Sequence, residues 1–113
     1  MAEGTFDPAL MDVTRFGIVS LLAATHWAEF PFVRDSMGLS DSALSKQTSY
    51  LSKAGYVEVH KGYVGKRPRT WLRLSPQGRT ALTGHIEYLQ GVARAVQEQG
   101  ASHQPDELPD GAA

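Results

Sequence analysis

The sequence predicts a mainly helical α+β fold: a run of short helices, then one β-hairpin, then a long closing helix. Three observations predict it. Apolar residues recur at helical spacing in separate stretches, most plainly at Leu82, Ile86, Leu89, Val92 and Val96. Two short segments, 56–61 and 70–74, alternate apolar and polar residues instead. Between them stand residues that start and stop helices: Asp7-Pro8, Pro31, Ser40-Asp41 and Ser75-Pro76 at the starts, Gly38 and Gly55 at the ends. At 113 residues the chain has material for one modest core. One domain over 7–97 is expected, preceded by a flexible N-terminus over 1–6.

Asp7 is the expected N-cap of the first helix and Pro8 its first residue, where the absent N–H has no partner to lose. Leu10, Val13, Phe16, Val19, Leu21 and Leu22 make this helix largely buried, with a bend near Asp12. Gly17 inside it costs about 1 kcal/mol relative to alanine, which points to close packing there. Residues 27–30 alternate in part and read as a brief strand. Pro31 opens a second helix with Phe32, Val33 and Met37, and Gly38 closes it. Ser40 or Asp41 caps a third helix that runs through Ala54 to Gly55. Helix, glycine turn and capped helix within about 25 residues is the outline of a helix-turn-helix.

In the third helix Leu44, Thr48, Leu51 and Ala54 form a narrow apolar stripe. At about 100° per residue, the opposite face carries Ser42, Ser45, Lys46, Ser49, Tyr50 and Lys53. That face has no acid. A helix exposed only to solvent commonly mixes Glu with Lys for i,i+4 pairing. Short hydroxyls and lysines instead suit a helix that lies in a groove against phosphate.

Val57 and Val59 of the first alternating segment, and Leu72 and Leu74 of the second, face inward. Glu58 and Arg73 then share the outer face, where a cross-strand pair is favourable. The loop 62–69 holds Gly65 for a turn and Pro68, which has no ladder donor. It projects Lys66, Arg67 and Arg69. Ser75 caps the closing helix and Pro76 opens it. The stripe of that helix serves packing on the first helix, contact with a second copy, or both. Leu10, Val13, Leu82, Ile86, Leu89, Val92 and Val96 are the candidates for contact between copies. From residue 98 the chain loses periodicity and is rich in polar residues, proline and glycine, the pattern of a disordered acidic tail over 98–113.

The formal charge of −1 is unevenly spread. Residues 40–80 hold eight basic residues and two acids, a balance of +6, while the remainder holds three basic residues and ten acids, a balance of −7. Such a split suits a half that faces a polyanion. It equally describes a solvated basic face, and the placement of the charges decides between the two.

Other chemistries are poorly served. There is no cysteine, which removes disulfides, thiol chemistry and thiolate metal sites. His26, His60, His85 and His103 are scattered, so neither a metal nor a cofactor is expected. No glycine-rich phosphate loop, carboxylate cluster or Ser/His pair at a strand–helix turn is found. No catalytic residue is therefore assigned and an enzyme is not expected. The apolar run 16–24 is too short to span a bilayer, and residues 1–4 lack the basic start of a secretory signal. A soluble cytoplasmic protein without a membrane partner is expected.

The order helix, strand, helix, turn, helix, hairpin resembles the winged helix-turn-helix. Four stretches carry a closer resemblance, to the small single-domain bacterial regulators akin to the MarR and ArsR groups. They are Arg15-Phe16-Gly17-Ile18-Val19-Ser20-Leu21-Leu22, Gly38-Leu39-Ser40 on to Leu44-Ser45, Leu51-Ser52-Lys53-Ala54-Gly55-Tyr56-Val57, and Arg69-Thr70-Trp71-Leu72-Arg73-Leu74-Ser75-Pro76-Gln77-Gly78-Arg79. The match spans residues 10–90. It implies a two-stranded β wing, a long C-terminal dimerisation helix, and a homodimer that binds double-stranded operator DNA and regulates transcription. Repression is the expected sense of control.

In that reading helix 40–54 enters the major groove. Ser42, Ser45, Lys46 and Ser49 meet base edges or flanking phosphates, and Tyr50 and Lys53 grip the backbone. The wing 62–69 carries Lys66, Arg67 and Arg69 to the backbone or the minor groove. Two reading helices about 34 Å apart call for a pseudo-palindromic operator. Tyr50 stands where the family often has histidine, so base preference does not carry over. Metal sensing needs cysteines or clustered histidines, and thiol redox sensing needs a cysteine, so neither is expected. Two further readings stay open. One is a protein-interaction winged helix whose hairpin docks an acidic partner without touching DNA. The other adds a cavity lined by Phe16, Trp27, Trp71 and Tyr88 for a small-molecule effector, against which stands plain core packing of the four.

Overall fold

The computed structural model describes residues 4–112. A one-turn 3-10 helix, Pro8–Met11, leads into α1 (Val13–Ala23), followed by β1 (Ala28–Glu29), α2 (Phe30–Met37), α3 (Asp41–Lys53), β2 (Val57–Val64), β3 (Arg67–Leu74) and α4 (Pro76–Ala101). The strands form one antiparallel sheet in the order β1-β3-β2.

The bend expected near Asp12 is a full break. Asp7 accepts a hydrogen bond from the Ala9 N–H at 2.9 Å and caps the 3-10 turn, while Asp12 accepts from the Arg15 N–H at 3.0 Å and caps α1 separately. Asp12 has extended backbone angles, so the chain changes direction there. The Met37 methyl stands 2.6 Å from where a Cβ on Gly17 would lie, which is the close packing that a glycine inside a helix implied.

The N-terminal segment differs from the flexible chain expected over 1–6, of which 1–3 lie outside the described residues. The Thr5 N–H donates to the Gly84 carbonyl of α4 at 2.9 Å. Phe6 packs on His85 and Tyr88, with ring centroids 5.8 and 5.4 Å away. Burial of one aromatic face and a backbone hydrogen bond hold residues 4–6 down.

Leu10, Ile18, Val19, Leu22, Val33, Leu44, Leu51 and Leu72 are sealed at the centre of the molecule, each contributing about 1.5–3 kcal/mol by leaving water. Two residues expected at a contact between copies belong to this core instead: Leu10 is 2% and Leu82 7% exposed. The 3-10 turn presents Leu10 inward, and Leu82 sits on the early turns of α4, which lie over the core. Ile86 is half-buried at the edge of the core. The stripe emerges only beyond it, at Leu89, Val92 and Val96, with Val13 exposed on α1.

The sheet departs from expectation twice. The brief strand expected at 27–30 finds a partner, pairing Ala28 with Leu72 and Glu29 with Trp71, so the sheet has three strands rather than two. The loop expected over 62–69 is mostly strand. β2 and β3 pair from Val57–Leu74 to Val64–Arg67 and leave only Gly65-Lys66 as the turn. Gly65 has φ 63° and Lys66 does not share the positive sign. Glycine first is the pattern of a type II′ turn, whose twist matches the strands. Pro68 is tolerated within β3 because a two-residue turn closes on a hydrogen-bonded pair, Val64 and Arg67. The next pair, Tyr63 and Pro68, then carries no ladder bonds. The expected Glu58–Arg73 pair does form, directly opposite in register, with the Arg73 Nε 3.1 Å from the carboxylate.

α4 starts at Ser75, whose hydroxyl accepts from the Gly78 N–H at 2.9 Å. Gly78 has to be glycine, since a Cβ there would lie 2.3 Å from the Tyr56 carbonyl oxygen. The helix passes the boundary expected at 97 and runs to Ala101. No proline interrupts the sequence there, so what was expected to be tail from 98 begins as helix, and exposed chain follows from Ser102. The molecule measures 72 Å along its longest axis.

Phe16, Trp27, Trp71 and Tyr88 do not line one cavity. Trp27 and Trp71 flank His60 on the outer face of the sheet, 5.9 and 5.5 Å from the imidazole. Phe16 lies 6.2 Å from His85 in the packing of α1 on α4, and Tyr88 meets Phe6 of the N-terminal segment. Core and surface packing account for all four.

Candidate nucleic-acid interface

α3 is set by its ends and one face. The Ser40 hydroxyl accepts from the Ala43 N–H at 3.1 Å and caps it. Arg34 of α2 reaches Asp35 and Asp41, each at 2.8 Å, and so ties the end of one helix to the start of the next. The Arg34 hydrogen bond holds the Asp35 carboxyl below its usual range. Leu44, Thr48 and Leu51 point into the core. The face turned outward is therefore the one composed of Ser42, Ser45, Lys46, Ser49, Tyr50 and Lys53, all exposed.

A cleft of about 1190 Å³ opens between this face and the hairpin. Ser45, Ser49 and Lys53 line its helix wall, and Lys61, Arg67 and Arg69 line its sheet wall. No acid is among the lining residues. Cations gathered along a concave surface focus their field onto whatever enters it. Lysine and arginine only donate hydrogen bonds, whereas serine donates and accepts. The combination suits both oxyanions and edges that mix donors and acceptors.

Of the candidate residues, Ser45, Ser49, Lys53, Arg67 and Arg69 are brought together in this cleft. Ser42, Lys46 and Tyr50 share the outward face of α3 outside the cleft lining, and Lys66 stands in the turn at the end of the hairpin. Arg69 already has a partner, Glu29 of β1, at 3.0 Å. That pair exists because β1 joins the sheet. Tyr50 also has one: the Arg15 guanidinium carbon lies 4.1 Å above its ring. Arg15 donates from Nε to the Ala9 carbonyl at 2.7 Å and from a terminal nitrogen to Gln47 Oε1 at 3.3 Å.

Lys61 and Arg15 are the residues missed from sequence. Strict alternation within the segment 56–61 places Lys61 on the face of Val57 and Val59, so its signal was present, but only the two valines were assigned to that face. Arg15 offered no signal, because its partners come from another helix. Among the described residues, no group of three or more His, Cys, Asp or Glu is placed to hold a metal ion, and no helix is long and apolar enough to cross a membrane.

Comparison with known proteins gives the same architecture. The family described as winged helix DNA-binding domain matches residues 14–92. An uncharacterized protein of Methanocaldococcus jannaschii is 30% identical over 85 residues, which cover 75% of this chain and 92% of its own. Among solved structures, a transcriptional regulator homologue from Pyrococcus horikoshii superposes with a TM-score of 0.73 at 23% identity, covering 78% of this chain and 87% of its own. A cysteine-to-serine variant of ZitR from Lactococcus lactis, solved in complex with DNA, superposes with a TM-score of 0.59 at 15% identity, covering 94% of this chain and 72% of its own. These last two likenesses are likenesses of fold. With α3, the hairpin and most of α4 inside the matched span, this chain belongs to the winged helix DNA-binding domain family.

Proposed function

We propose that the protein is a transcriptional regulator that binds double-stranded DNA sequence-specifically, acts as a homodimer and represses from a pseudo-palindromic operator. The observation that carries this reading is the acid-free cleft shared by the serine- and lysine-bearing face of α3 and the cationic hairpin. α3 is the element for the major groove, which admits a helix. Ser42, Ser45, Lys46 and Ser49 meet base edges or neighbouring phosphates, and Tyr50 and Lys53 hold the backbone. Lys66 and Arg67 reach the backbone or the minor groove from the hairpin. Arg69 joins them by exchanging Glu29 for phosphate, a small loss since partly exposed ion pairs are worth about 0–1 kcal/mol.

Leu89, Val92 and Val96 on α4, with Val13 on α1, are apolar and exposed, which supports contact with a second copy. A twofold dimer sets two copies of α3 about 34 Å apart, one turn of duplex. Repression follows from occupancy, since a dimer seated across an operator excludes other proteins from those grooves. The DNA-bound ZitR and the Pyrococcus regulator homologue support the same reading.

Selection of genomic fragments by the purified protein, read by sequencing, tests it. Enriched fragments should share an inverted repeat with half-site centres about 10–10.5 base pairs apart, or a multiple of that. No enrichment over random DNA, with an acidic polypeptide captured by the hairpin instead, would replace the regulator by a protein-interaction module.

A further inference from the structure

Arg15 makes three contacts that the DNA contacts proposed above do not use. Its Nε donates to the Ala9 carbonyl at 2.7 Å, a terminal nitrogen donates to Gln47 at 3.3 Å, and its guanidinium plane covers the ring of Tyr50 at 4.1 Å. No described carboxylate pairs with it. The residue stands on α1, yet two of its three partners are on α3, and the third belongs to the 3-10 turn that ends at Met11. Met11 and Val13, either side of the break, are exposed apolar residues.

We propose that Arg15 is a positioning residue: it fixes the side chains of Gln47 and Tyr50 on α3 and ties their orientation to the 3-10 turn beside the apolar surface at Met11 and Val13. The inference rests on the DNA-binding reading of the site. An exposed tyrosine is free to rotate and loses that freedom when it binds. A guanidinium laid on its ring holds it beforehand, and the same planar group can donate in two further directions at once. A lysine cannot do this, because a point charge on a flexible stem offers neither the plane nor the fork. Contact made by a second copy at the turn would thereby be felt at Tyr50 without any movement of the helix axis.

The test is a double-mutant cycle on operator binding, read at several salt concentrations, with Arg15→Gln, Arg15→Lys, Tyr50→Ala and Arg15→Gln combined with Tyr50→Ala. Arg15→Gln and Arg15→Lys are each expected to weaken binding about five- to tenfold, with the salt dependence unchanged because no phosphate contact is lost. In the Tyr50→Ala background, Arg15→Gln should cost no more than about twofold, since coupled residues do not add. Arg15→Lys keeps the charge and the stem, so it separates loss of positioning from loss of folding, which thermal melts monitor. Additive losses would overturn the proposal, as would full binding by Arg15→Lys or a reduced salt slope in Arg15→Gln alone. A wild-type protein that binds no duplex would remove the reading of the site and the positioning role with it, whereas a wild type that binds, with additive losses, removes the positioning role alone.

Discussion

Tyr56 joins two ends of the domain through one residue. Its hydroxyl donates to the carboxylate of Asp7, which caps the N-terminal turn, and its carbonyl accepts from the Ser75 N–H at 2.9 Å, where α4 begins. The bond to Asp7, helped by burial, pushes the Tyr56 pKa from 10.0 up to about 12. The folded state therefore keeps a proton that the unfolded state releases between those values. The stabilisation is whole below pH 10 and is lost as pH rises towards 12. Melting temperature should fall more steeply from pH 10 to 12 in the wild type than in Tyr56→Phe; parallel declines would mean the bond contributes nothing. Neither this pair nor Arg15 over Tyr50 was legible in the sequence, because the partners meet only once the core has packed. The outward residues of α3 were legible, because helical periodicity alone places Ser45, Ser49 and Lys53 on the side away from Leu44 and Leu51.

At the scale of elements, the residues that cap helices were the surest guide. Ser75 caps where expected, Ser40 rather than Asp41 caps α3, and Asp7 caps the 3-10 turn instead of α1; each accepts a backbone N–H. The hairpin was harder to delimit. The expected loop began at Gly62 and included Pro68, which lacks a ladder donor, yet both lie in paired strand, and the turn is set by Gly65. β1 was legible in its place at 27–30 but not in its pairing, since a two-residue strand has too little pattern to show that it joins β3. α4 divides in two. Its early turns, with Leu82 and the fully buried His85, close the core, and Leu89, Val92 and Val96 stay exposed, the surface proposed for a second copy. Truncation before His85 would therefore strip the core as well as the contact. Val92→Asp is the cleaner probe, because this position is 38% exposed. It should leave the monomer's melting temperature nearly unchanged and weaken self-association by about 3–5 kcal/mol, the penalty for an unpaired charge in an interface. Sedimentation would show a monomer. A persisting dimer would move the interface off α4.

For the whole molecule, what matters is that two consecutive elements, α3 and the hairpin that follows it, open onto one cleft. Composition placed the positive charge in residues 40–80, and the fold sets most of it along the outward side of α3 and the hairpin, with Lys53 facing Lys61 and Arg67 across the opening. Charge on either wall alone would attract a polyanion weakly. In the proposed complex, opposed walls hold one duplex by its major groove and by the adjoining backbone together. The most direct measurement is the slope of log affinity against log salt on one operator, for the wild type, for Lys53→Ala on the helix wall, and for Lys66→Ala with Arg67→Ala on the hairpin. Each wall should lose slope, by roughly 0.9 for every phosphate contact removed. A slope that falls for one wall only, or for neither, would contradict binding of a single duplex by both.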